Sequence, residues 1–177
     1  MFTENGIIEI ASTIILIVCL LRCTQYIVQS RIKLGRYFWL ASVLVFFAVI
    51  RRELNHLPDL FISSDFLLLN HSYDWWEDIV LTIVYILMVG LFVYSWRYCW
   101  TVLKNTPITL YLVVAVLATV QYMGENAIVF PHAFGAIIEE LTEATIYSIA
   151  LVYLWNFKLI DFEACLSNKL NFETVTQ

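Results

Sequence analysis

Charge is scarce in this sequence. Asp, Glu, Lys and Arg fill 14% of its 177 positions, against roughly 25% in soluble domains. Glycine (5) and proline (3) are also few, and no linker, low-complexity tract or internal repeat interrupts the chain. This composition excludes a nucleic-acid binder, which needs a basic surface, and a multidomain enzyme. The 4 cysteines do not suit a secreted disulfide scaffold: Cys19 and Cys23 fall within the first apolar run, Cys99 near the inner face and Cys165 in the tail. Paired Gly/Pro breaks of the kind found in inverted-repeat transporters are missing. The flank Met1 to Asn5 has no basic residue, which argues for a retained first helix rather than a cleaved signal peptide.

The chain is rich in apolar residues, 61% of positions, with a mean hydropathy of +0.78. A hydrocarbon core ~30 Å thick takes about 20 helical residues to cross. Five runs meet that length, at 7–28, 37–56, 79–103, 106–128 and 134–157. The expected fold is therefore an all-α, polytopic membrane bundle of five transmembrane helices in a single domain, 1–177. The segment 57–76 alternates Asp and Ser with Leu, Phe and Ile and ends in Trp75-Trp76, so it is expected to lie along the outer surface as an interfacial cap. Asn70-His71-Ser72 within it matches the glycosylation sequon, a short pattern common by chance. The tail 158–177 is expected in the cytoplasm, along the inner surface or against a partner, with no chemistry assigned to it.

Orientation follows from the basic residues, which are retained on the cytoplasmic side. Arg22, Arg31, Lys33, Arg36, Arg97, Lys104, Lys158 and Lys169 share one side, which is eight of the 10 Lys and Arg. The expected location is the cell inner membrane, with the amino terminus outside and the carboxyl terminus in the cytoplasm. Of the 15 carboxylates, only Asp161, Glu163 and Glu173 then fall inside. The other twelve gather at the outer end, with His56, His71 and His132.

Length forces some of these charges below the surface. Between Arg36 and Arg51 lie 14 uncharged residues, and between Glu143 and Lys158 another 14, each covering only ~21 Å of the core. An ionised side chain at mid-membrane costs at least ~2.5–3.5 kcal/mol, so it is normally paired or functional. An ion pair from Arg51 or Arg52 to Glu140 or Glu143 would join the second helix to the fifth and serve packing alone.

A chemical reading starts from Glu53-x-x-His56, which sets a carboxylate and an imidazole on one helical face. The candidate metal ligands are His56, His132, Glu53 and Glu143, a set suited to one zinc or manganese ion. The candidate catalytic carboxylates are Glu53, Glu125, Glu140 and Glu143, one of which would act as base on a metal-bound water. Arg51 and Arg52 are candidate headgroup-binding cations.

Three functions follow from these residues. The first is a membrane-embedded, metal-dependent hydrolase or transferase acting on a lipid or its headgroup. The second is a non-enzymatic accessory, sensor or protective subunit, whose charge cluster is structural or docks a membrane-protein partner. The third, proton or cation transport, lacks a charged path to the inner face. Gly90 and Ser95 in the third span, and Ala115 and Ala118 in the fourth, suit close helix approach within the chain or in a homo-oligomer.

Overall fold

A computed structural model describes residues 5–54, 67–68, 71–125 and 132–166. The elements are α1 (Asn5–Gln29), α2 (Lys33–Glu53), β1 (Leu67–Leu68), β2 (His71–Ser72), α3 (Tyr73–Tyr94), α4 (Trp96–Asn105), α5 (Ile108–Glu125) and α6 (His132–Asn156). A last helical segment, α7, covers 159–166. The two short strands pair antiparallel, Leu67 opposite Ser72 and Leu68 opposite His71.

Among the described residues, three stretches are long and apolar enough to cross a membrane: Ile10–Gln29, Lys33–Glu53 and Trp75–Tyr94. A fourth is added if α4 and α5, which meet at 95°, count as one bent span. Helix α6 has 25 residues but carries Glu139, Glu140 and Glu143, and it is not among these stretches. No residue of Trp75–Tyr94 is buried, and Ile86 (67% exposed) and Val93 (68%) stand outward. Hydrocarbon is the solvent that suits such a face.

The third helix differs from the expected span 79–103. It begins at Tyr73, so Trp75 and Trp76 belong to its first turns rather than to a surface cap; Asp74, Glu77 and Asp78 there suit the positive end of a helix dipole. It stops at Tyr94, and the chain resumes as α4 after Ser95, whose buried hydroxyl bonds back to the Leu91 carbonyl at 2.7 Å. Helix α4 is amphipathic: Tyr98 and Val102 are buried, while Trp96, Arg97, Trp100 and Lys104 are exposed. Such a short two-faced helix suits a membrane surface better than its interior. Pro107 then disfavours helical backbone at Thr106 and ends α4. Residues 55–66, most of the expected cap, lie outside the described residues.

The chain divides into two compact units. One comprises residues up to Arg22 together with Trp100–Phe157. Its main contact is α5 against α6, where Gly124 and Gly135 meet backbone to backbone. A Cβ on Gly135 would stand 2.6 Å from the Gly124 carbonyl oxygen, and one on Gly124 would stand 2.9 Å from that of Gly135. Glycine at both positions lets the helices touch. In the same unit Arg22 lies over the Trp155 ring, 5.3 Å from its centroid, which gives this half-buried cation a π partner.

The other unit comprises Cys23–Cys99 and the residues from Lys158 onward. Helix α2 runs antiparallel to α3, and aromatic side chains fill the space around it. Trp39 is 2% exposed and lies 4.6 Å from Tyr26, Phe38 contacts Phe92 and Tyr98, and Tyr98 contacts Phe162 of α7.

Candidate functional site

Within the second unit, the α2 carboxyl end carries Arg51 and Arg52 in its last turn, where cations complement the helix dipole. Arg51 forms an ion pair with Glu77 of α3, both side chains being 19% exposed, and also donates to the Leu54 carbonyl at 3.3 Å. The pair fastens the connected end of the α2–α3 hairpin. Glu77 was not among the expected partners of Arg51; α3 starts early enough to bring its first turns beside the end of α2. Arg52 is exposed and Glu53 half-buried on the same turn.

The first unit holds the other carboxylates. Gln121 Nε2 of α5 donates to Glu143 Oε1 of α6 at 2.6 Å. Gln121 and Gly124 are three residues apart on α5, while Gly135, Glu139 and Glu143 recur every four on α6, so both helices present one face to a shared seam. Glu140 follows Glu139 on the adjacent face and is half-buried.

Glu125 is the last residue of α5 and His132 the first of α6; their side chains, like all of His56, lie outside the described residues. Among the described residues, no three His, Cys, Asp or Glu side chains gather into a group able to hold a metal ion. What the fold joins is Arg51 with Glu77, and Gln121 with Glu143. Neither Glu77 nor Gln121 was expected as a partner. Gln121 does carry a signal, being the one amide in a helix whose only charge is Glu125 at its end.

A further polar centre lies at the opposite end of the second unit. Glu163 of α7 is 6% exposed and accepts from the Ser30 hydroxyl at 2.5 Å, from the Arg31 backbone N–H at 2.8 Å and from the Tyr98 hydroxyl at 3.5 Å. Gly35 makes room for it: a Cβ there would stand 2.6 Å from Ser30 Oγ and 2.7 Å from Glu163 Oε1. Within the tail, the described segment α7 buries this one carboxylate against residues 30–35 and Tyr98. The sequence holds the signal for this, since Leu159, Phe162, Glu163 and Leu166 share one face of a helix and Glu163 is the charge among them.

Comparison of the chain with protein-family models, with curated proteins and with solved structures finds no match.

Proposed function

We propose that the chain is a five-span inner-membrane protein, amino terminus outside and carboxyl terminus in the cytoplasm, that acts as a non-enzymatic accessory, sensor or protective subunit. The observation that carries this reading is the Arg51–Glu77 pair. A lipid-headgroup enzyme would want Arg51 available for a phosphate, and here it fastens α2 to α3. Glu143, assigned above as ligand or base, likewise accepts from the Gln121 amide. Charges used in this way hold helices in register within an apolar solvent, where an unpaired ion is costly. Asp78 is exposed at the same end and adds to a polar surface there.

Metal analysis and a lipid-hydrolysis assay on the full chain in detergent test the proposal. Folded protein without stoichiometric metal and without turnover is the expected result. Stoichiometric zinc or manganese, lost in both His56→Ala and His132→Ala, would overturn it in favour of the hydrolase.

A further inference from the structure

We propose that the cavity beside Glu163 binds the ammonium–phosphate headgroup of a zwitterionic phospholipid. This goes beyond the preceding reading and concerns the opposite end of the second unit. A carboxylate removed from water is normally matched by a cation. Glu163 has three neutral donors, and among the described residues no Lys, Arg or His lies within ion-pair distance of it. Its hydrogen-bond partners among the described residues are dipoles, with no cation beside them.

Glu163 is one of the residues lining a cavity of about 310 Å³, with Gln29, Arg31, Ile32, Ile160 and Ala164. That volume lies at the lower end of the ~300–1,000 Å³ typical of small-ligand sites. The lining offers one anion, one cation and one amide against three apolar side chains. A ligand matched to it carries an ammonium for Glu163, a phosphate for Arg31 and Gln29, and apolar chain for Ile32 and Ile160. No cluster of three metal-ligating side chains forms among the described residues, so the cation is better supplied as an organic ammonium than as a transition metal.

The surroundings favour a lipid over a free metabolite. Tyr37 and Tyr94 meet edge to face at 5.1 Å at this end of α2 and α3, both exposed, and Trp96 beside them is 56% exposed. Such aromatic side chains mark the headgroup level of a bilayer.

The test titrates the full chain in detergent with phosphatidylethanolamine, phosphatidylglycerol and soluble phosphoethanolamine, and counts bound molecules by native mass spectrometry. Wild-type protein should retain phosphatidylethanolamine at least about tenfold better than either alternative. Glu163→Gln should lose that preference. Arg31→Gln, which alters an exposed side chain and leaves the fold intact, should weaken retention of the lipid, and it decides the matter if Glu163→Gln does not fold. Equal retention of the two lipids, or binding unchanged in Arg31→Gln, would overturn the site. Soluble phosphoethanolamine binding as tightly as the lipid would overturn the assignment to a lipid.

Discussion

Gln121 and Glu143 join α5 to α6 by a single amide–carboxylate hydrogen bond of 2.6 Å, three residues along α5 from the Gly124–Gly135 contact. The seam therefore combines the two devices that hold helices together without a hydrophobic driving force: close backbone approach and a polar bond between side chains. The glycines bring the axes near enough for a short amide to reach a carboxylate. The bond in turn fixes which faces of the two helices meet.

Replacing one member of this bond should hurt more than replacing both. Gln121→Leu removes a donor from a half-buried carboxylate and should destabilise the protein by about 1–3 kcal/mol, with Glu143→Leu costing a similar amount. The double variant should recover much of the loss, since apolar groups of matching shape leave no polar atom stranded. Thermal unfolding in detergent reads this directly. Additive losses in the double variant would show that Gln121 and Glu143 act independently.

The Arg51–Glu77 pair makes a charge-order prediction. Arg51→Glu sets two carboxylates face to face, and Glu77→Arg does the same with two cations. Each should lower stability by about 2–4 kcal/mol, between the small value of an exposed pair and the ~3–5 kcal/mol of breaking a fully buried one. The exchange Arg51→Glu with Glu77→Arg should restore part of that loss. Full recovery is not expected, because the swapped charges then oppose both helix dipoles. If the double exchange behaves no better than the worse single variant, the pair does not fasten α2 to α3.

The helices were legible in the sequence because runs such as Ile10–Gln29 and Lys33–Glu53 are predominantly apolar over a membrane-crossing length, with few charges inside them. The end of the third helix was not. Hydropathy continues past Tyr94 into Trp96, Tyr98 and Val102, and only the back-bonded hydroxyl of Ser95 and the two-faced pattern of α4 separate a span from a surface helix. The spacing of Arg36, Arg51, Glu143 and Lys158 predicts charges below the membrane surface, but it does not name their partners. Pairing depends on which helices adjoin, and Glu77 became the partner of Arg51 through the early start of α3. Glu163 was overlooked because hydropathy assigns a short mixed tail to the surface, although its helical face is apolar around that one carboxylate.

The proposed orientation predicts the behaviour of reporter fusions. An enzyme active only in the cytoplasm should work when joined after Gln177 and be silent when joined after Ser64, since the basic residues concentrate beside the first and third connections and in the tail. A silent fusion at Gln177 with an active one at Ser64 would reverse the topology and move the acidic end to the cytoplasm.

The glycines give the sharpest test of the α5–α6 seam, because the same substitution should have opposite signs at different positions. Gly135→Ala places a methyl group 2.6 Å from the Gly124 carbonyl oxygen, and Gly124→Ala places one 2.9 Å from the Gly135 carbonyl oxygen. Neither obstacle is a flexible side chain that can swing away, so the helices must part. Such overpacking costs about 1–3 kcal/mol, and the loosened seam should also weaken the Gln121–Glu143 bond. Gly90, by contrast, sits within α3 with nothing within 4 Å of a built Cβ. Alanine there meets open space and gains about 0.5–1 kcal/mol in helix stability. Unfolding of the three variants side by side should therefore show Gly90→Ala above the parent protein and both seam variants below it. A Gly135→Ala protein as stable as the parent would mean that α5 and α6 do not touch at this point, and the Gln121–Glu143 bond would lose the close approach on which it depends.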